Sequence, residues 1–350
     1  MPYAKDRLVV DEQVLGILLL CIGIGSLVAM FFTGMLSSRF GTRPVILVSG
    51  FGLAAVLPWL AICSTPFTLG LALLLFGAAL GSLDVAMNIH AVEVERAAGE
   101  PLLSGFHALY SLGGFAGAAF VTMLLSFGLG PVVCVFLGAG LMVAAMFVTW
   151  PGLLKTRSAE GDPHFAWPRG VVLVIAALAA IMFLAEGAVL DWSALLITGN
   201  GLVHVEQGGL GYMLFSIAMT VTRFAGDALT ARLGDRAIMI WGSLVAIGGF
   251  IVVLTTTLVT VSMVGFILIG LGAANVVPVL FRRAGSQTVM PPVLAIAAIT
   301  TTGYAGILLG PAVIGFVADH IGLTLAFWMI PVLLLSVPLC ASVVAPRQDR

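Results

Sequence analysis

The chain has 350 residues, of which 61% are hydrophobic and only 9% charged, with a formal net charge of −1. Soluble domains carry about 25% charged residues, so this composition excludes a water-soluble fold and indicates an integral membrane protein. The charge balance offers nucleic acid no basic surface. The four cysteines (Cys21, Cys63, Cys134, Cys340) are scattered through apolar segments without a C-x-x-C pair, so they read as buried thiols and not as metal ligands.

In chain order, MPYAKDRLVVDEQ mixes Lys5 and Arg7 with Asp6, Asp11 and Glu12, unlike the positive n-region of a signal peptide. A spanning helix needs about 20 mostly apolar residues. Eleven stretches meet that need: 13–36, 44–63, 66–91, 104–127, 131–150, 171–198, 207–229, 237–257, 260–281, 289–317 and 322–345. The predicted fold is therefore all-α, with five spans in residues 1–150 and six in 171–350. The polar stretch PGLLKTRSAEGDPHFAWPRG (151–170) joins the two bundles as a linker.

Of the fifteen Lys and Arg residues, twelve fall in the loops 37–43, 92–103, 151–170, 230–236 and 282–288 and at the C-terminus, all on one side. Lys5 and Arg7 fall on the other, so the positive-inside rule makes the first side, with the C-terminus, cytoplasmic. The fifteenth cation, Arg223, lies within a span.

The two halves resemble each other. GMLSSRFGTRP (34–44) aligns with DALTARLGDRA (227–237), GSLDV (81–85) with GAANV (272–276), and GFAG (114–117) with GYAG (303–306). Such repeats, with a site at the midplane between halves, mark secondary transporters. A helix, 171–198, precedes the EQ pair at 206–207, whereas only eleven residues precede the EQ pair at 12–13. The repeat thus predicts a further apolar helix upstream, and the charge count places the N-terminus outside.

Paired R-x-G-x-R loops, two helical halves and a polar linker resemble the major facilitator superfamily. Gly34, Arg39, Gly41 and Arg43 fit the family's loop pattern, as do Arg232, Gly234 and Arg236 in the second copy. Ser38 and Ala231 stand where the family carries an acid. Within that family, DVAMNIHAVEVER, SGFHALYSLGG, EGAVLDWSALL and TRFAGD are similar to bacterial permeases near the fucose–proton symporters. The resemblance implies alternating access between two bundles, a small solute and protons as partners, and a monomer in the bacterial inner membrane. It also implies a proton-coupling role for an acid followed four residues later by Asn, a spacing that Asp84 and Asn88 match.

The residues themselves support several candidates. Asp84 and Asn88 share a helix face, beside Gly77, Gly81 and Ser82, whose small side chains admit a close neighbouring helix. A carboxylate inside a membrane is expensive and functional by default; the alternative is a hydrogen-bonded anchor between helices. Its repeat mate Asn275 cannot titrate. His107, followed by Tyr110 and Ser111, reads either as a proton group that Asp84 pairs with or as a ring bonded to a carbonyl. Glu186, about 15 residues or ~22 Å into its helix, reads as cavity-lining. These readings give proton-coupling Asp84, His107 and Glu186, and substrate-binding Asn88, Tyr110, Asn275 and Tyr304. The gate set is Arg39, Arg43, Arg223, Asp227, Arg232 and Arg236, with Arg223 and Asp227 as an i, i+4 ion pair that reads as a structural clamp, substrate binding being the alternative. His90, Glu93 and Glu95 suggest a metal, but only two donors share a face, so they read as a solvated helix end. Gly306, Gly310, Pro311 and Gly315 read as a close-packed, hinged helix.

No Walker loop appears, so ATP is not the driver and no cofactor is expected. An intramembrane protease would want G-x-G-D, which FAGD does not supply, and neither H-E-x-x-H nor G-x-S-x-G occurs. The function expected is transport of a small polar solute, sugar-like or an organic acid, coupled to protons. Efflux of hydrophobic compounds and a non-transporting sensor or remnant stand as alternatives.

Overall fold

The computed structural model describes residues 8, 12–155, 166–199, 201–204 and 207–346. Lys5, Arg7, Arg157, Glu206, Arg347 and Arg350, used in the charge count or the repeat, lie outside the described residues, as does the side chain of Pro311. Every element among the described residues is helical: α1 (Glu12–Phe40), α2 (Thr42–Ile62), α3 (Pro66–Ala98), α4 (Leu103–Ser126), α5 (Pro131–Thr149), α6 (Val171–Gly199), α7 (Leu210–Leu233), α8 (Asp235–Thr255), α9 (Val259–Ala273), α10 (Val276–Ser286), α11 (Pro292–Ile321), α12 (Leu323–Phe327), α13 (Met329–Leu334) and α14 (Ser336–Val344), with a 3-10 turn at Trp150–Gly152.

Among the described residues, ten of the predicted spans are long and apolar enough to cross a membrane. The eleventh corresponds to α7, whose length suffices but which carries Arg223, Asp227 and Arg232. Two spans are interrupted, and proline explains both. Pro278 has no N–H for the carbonyl four residues back and its ring crowds that carbonyl, so the predicted span 260–281 breaks into α9 and α10 at Ala274–Asn275. Pro331 and Pro338 divide the last span into α12, α13 and α14 in the same way.

The chain groups into two compact units. The first comprises Met1–Val94, Gly113–Ala166 and Ile296–Thr301; the second comprises Glu95–Leu112, Trp167–Ala295 and Thr302–Arg350. Glu95–Leu112 thus belongs by its contacts to the second unit, although it precedes the linker in the chain.

In the first unit α1 and α3 cross at small residues. A side chain at Gly25 would strike the Leu74 carbonyl, and one at Gly77 the Ile22 carbonyl. The close approach lets Ser26 Oγ donate to Gly77 O at 2.8 Å and Thr33 Oγ1 to Ser82 Oγ at 3.1 Å, bonds worth about 0.6 kcal/mol each on average inside a bilayer. The other face of α1 presents Leu20, Ile24, Val28 and Phe31, all exposed, as a helix facing lipid does. Phe51, Phe147 and Trp150 cluster where α2 meets α5.

In the second unit α6 lies along the glycine face of α11. Gly303 meets Phe183, Gly306 the Ala180 carbonyl, Gly310 Leu184 and Gly315 Trp192. The expected close packing is present, and α11 runs unbroken through it. The repeat mates on α4 differ: Gly114 and Gly117 have nothing within 4 Å of where a side chain would begin.

Both R-x-G-x-R loops are built alike. Gly41 (φ 84°) and Gly234 (φ 80°) hold the left-handed backbone that ends one helix and starts the next. Their N–H groups close the preceding turns on Ser37 O and Thr230 O. That geometry is the reason for the glycine in each loop.

Candidate functional site

The break between α9 and α10 frees the carbonyl of Ala274 inside an apolar span, where an unsatisfied polar group is costly. Arg223 on α7 supplies the donor: its Nε reaches Ala274 O at 3.3 Å. The same guanidinium donates through Nη1 to Ser111 Oγ at 3.0 Å, and Ser111 in turn donates to His107 O at 3.1 Å. Its Nη2 lies 3.9 Å from Glu186 Oε2, an ion pair too long to be a hydrogen bond. Arg223 is buried and Glu186 half-buried. His107 tilts its ring against Phe281 at 5.9 Å, and its Nε2 is buried with no hydrogen-bond partner. A cation, an acid, a hydroxyl and an imidazole are thereby assembled at one proline-broken helix. The arrangement can bind an anion or relay charge.

The i, i+4 pairing of Arg223 with Asp227 does not form. Spacing allows those side chains to meet, but each has a better partner: Arg223 takes Glu186 and the freed carbonyl, while Asp227 turns to the start of α4. Asp227 Oδ1 accepts from Ser104 N at 2.9 Å and Oδ2 from Gly105 N at 2.7 Å. Glu95 Oε2 accepts from Leu102 N and Leu103 N at 2.8 and 2.9 Å. Four successive N–H groups at a helix start, which have no partner within the helix, are therefore all taken by two carboxylates that also suit the positive helix end. Gly226 clears the space, since a side chain there would collide with Asn275 Oδ1 and Ser104 Cβ.

Arg282 lies over the same carboxylates. Its Nε and Nη2 bond both oxygens of Glu95, the latter at 3.0 Å; its Nη1 reaches Asp235 Oδ1 at 2.9 Å, and Asp227 Oδ1 lies 3.8 Å away. Arg283 Nε sits 2.7 Å from Asp235 Oδ2 as an ion pair without hydrogen-bond geometry. This clamp fastens the Glu95–Leu112 segment into the second unit.

In the first unit, Asn88 Nδ2 donates to Asp84 O at 2.8 Å and to Asp84 Oδ1 at 3.3 Å, so the two share one face as their spacing requires. His90, Glu93 and Glu95 are not a solvated helix end: His90 and Glu95 are buried and all three are engaged. Leu154 N donates to His90 Nε2 at 3.3 Å, which leaves the proton on Nδ1 to reach Thr42 Oγ1 at 2.8 Å. Thr42 then donates to Glu93 Oε2 at 2.9 Å. Among the described residues no group of His, Cys, Asp and Glu could hold a metal ion.

The remaining predicted residues scatter. Tyr110 is exposed and Tyr304 half-buried; Asn275 starts α10 with its Oδ1 buried and without a partner. Arg39 is exposed, 5.2 Å above the Phe40 ring; Arg232 is exposed and Arg43 and Arg236 half-buried. Asp235, Arg282, Arg283 and the clamping role of Glu95 escaped the sequence reading. One signal was available: Asp235 directly follows the loop glycine, at the first turn of a helix, where Thr42 stands in the first copy.

A family model described as Major Facilitator Superfamily matches residues 1–288. An uncharacterized MFS-type transporter of Yersinia pestis is 46% identical over 348 residues, covering 98% of this chain and 90% of that protein. The membrane protein MosC of Rhizobium meliloti is 31% identical over 335 residues, covering 92% and 79%. Among solved structures, the E. coli fucose:proton symporter FucP superposes with a TM-score of 0.78 at 14% identity, covering 99% of this chain and 93% of that one. The proton:xylose symporter XylE does so with 0.78 at 12% identity, covering 99% and 90%.

Proposed function

This chain belongs to the Major Facilitator Superfamily, and from that premise we propose that it carries a small polar solute across the bacterial inner membrane together with protons. The observation that carries the reading is the ion pair of buried Arg223 with half-buried Glu186, tied to Ser111 and the proline-freed Ala274 carbonyl. Charges are kept among apolar helices where ions or protons must be handled. Asp84, His107 and Glu186 take the proton-coupling roles, with Asn88, Tyr110, Asn275 and Tyr304 toward the solute. The gate set of Arg39, Arg43, Arg223, Asp227, Arg232 and Arg236 is enlarged by Glu95, Asp235, Arg282 and Arg283. The side bearing Arg39, Arg43, Arg232, Arg236 and the C-terminus faces the cytoplasm, and the protein acts as a monomer.

Asp84 supports the coupling role because its side-chain partner, Asn88, lies on the same helix and carries no charge. Purified protein in proteoliposomes, screened with labelled polar solutes under an imposed pH gradient, tests the reading. Asp84→Asn is expected to abolish gradient-driven accumulation while leaving exchange of internal for external solute intact. Accumulation by that variant at the wild-type level would reject Asp84 as the coupling acid.

A further inference from the structure

Arg223 offers more than a charge for Glu186 to neutralise. A guanidinium has five N–H donors in a planar fork. Nε is committed to a backbone carbonyl and Nη1 to a serine hydroxyl, and these two bonds fix the plane of the group. Nη2 makes no hydrogen bond among the described residues. It faces Glu186 Oε2 across 3.9 Å, a gap that a hydrogen-bonded pair would have closed. The cation is thus rigidly held, buried, and incompletely used.

Glu186 is the less confined partner, with 29% of its side chain exposed against 8% for Arg223. His107 Nε2 is a buried polar atom without a partner, one turn before Ser111 on the same helix. An oriented donor arm, with an unpaired imidazole nitrogen one helical turn from the serine that orients it, matches a ligand with a carboxylate at one end and a hydroxyl near it. We infer that Arg223 Nη2 binds the carboxylate of a small hydroxylated monocarboxylate, a sugar acid or short hydroxy acid, and that Glu186 is the resident counter-ion this carboxylate displaces. The inference rests on the transport reading above for its place in a cycle, but the binding itself does not.

Arginine is suited to this because a charge-assisted hydrogen bond from its one remaining arm to a carboxylate is about twice as strong as one to the neutral hydroxyl of a sugar. Displacement follows from charge: two carboxylates beside one buried guanidinium repel, so the weaker-held one leaves. Ligand and Glu186 compete for one arm of one cation.

Thermal melting of the full chain in detergent reads the binding without any requirement for flux. The probes are D-gluconate, D-glucuronate and L-lactate at up to 50 mM, each set against its neutral counterpart, D-sorbitol, D-glucose and 1,2-propanediol. At least one carboxylate is expected to raise the melting temperature and its neutral counterpart to leave it unchanged. Glu186→Gln should bind that carboxylate about tenfold more tightly, since the competitor is gone, and Arg223→Gln should lose it. No carboxylate stabilising the protein, equal stabilisation by the neutral partner, or unchanged binding in Arg223→Gln would overturn the inference. If Arg223→Gln does not fold, Glu186→Gln decides alone, and carboxylate binding that is unchanged or weaker there overturns it as well. Binding in the expected pattern by protein that moves none of the six compounds across a proteoliposome membrane keeps the carboxylate site and rejects the transport reading. Flux of the neutral compounds with no carboxylate binding does the reverse.

Discussion

Thr42 and Asp235 hold the same place in the two copies of the repeat, directly after the loop glycine and at the start of a helix, yet they solve the same problem with different chemistry. Thr42 joins His90 and Glu93 in a chain of hydrogen bonds that needs only one formal charge. Asp235 meets two arginines, and Arg282 goes on to Glu95. The first arrangement stays within its own half of the sequence. The second reaches Glu95 and, with Asp227, captures the start of α4. Charge is used where a segment from the other half of the sequence has to be held, and neutral hydrogen bonds where it does not. A buried charge left alone is heavily penalised, so an ionic clamp is firm when closed and costly when half-open.

The largest expected effect breaks the second corner. Arg282→Met leaves Glu95 and Asp235 buried without their shared cation and should destabilise the protein by about 3–5 kcal/mol. Melting in detergent checks this, and a variant that melts with the wild type would mean that the helix-end hydrogen bonds hold the segment unaided. Next comes Asp227→Asn, which keeps one acceptor but turns an amide NH2 toward a backbone N–H, for a loss of about 1–3 kcal/mol. Amide exchange should accelerate locally at Ser104 and Gly105, and uniform acceleration across the chain would instead indicate global loosening. The smallest effect sharpens the contrast from the other side. Thr42→Val removes the middle of the neutral chain and should cost about 1 kcal/mol. A cost equal to that of Arg282→Met would erase the distinction between the corners.

Much of the fold was legible because lipid imposes a simple rule on length and polarity, and the spans follow it. Small residues at Gly77, Gly81 and Ser82, and at Gly306, Gly310 and Gly315, also announced close helix crossings, though not which helices would cross there. The proline breaks were visible as residues but not as consequences, since proline inside a membrane helix is tolerated when a neighbour satisfies the freed carbonyl. That neighbour, Arg223, is fifty-one positions from Ala274. The same distance in sequence hid the clamp. Local spacing suggested that Arg223 would choose Asp227, whereas the partners that won come from α6, α4 and the break. Asp84 with Asn88, by contrast, is a pair four residues apart, and there local spacing sufficed.

The proline break also has a mechanical reading. Arg282 lies six residues beyond the start of α10, about 9 Å along its axis, so a tilt of about 10° at Asn275 swings it by about 1.5–2 Å. Its bond to Asp235 is 2.9 Å long, and a shift of that size removes it. The fulcrum of this short arm is the Ala274 carbonyl, and the residue bearing on it is Arg223. A small rotation where the buried cation sits is thereby geared into the loss of an ionic clamp at the far end of the same helix.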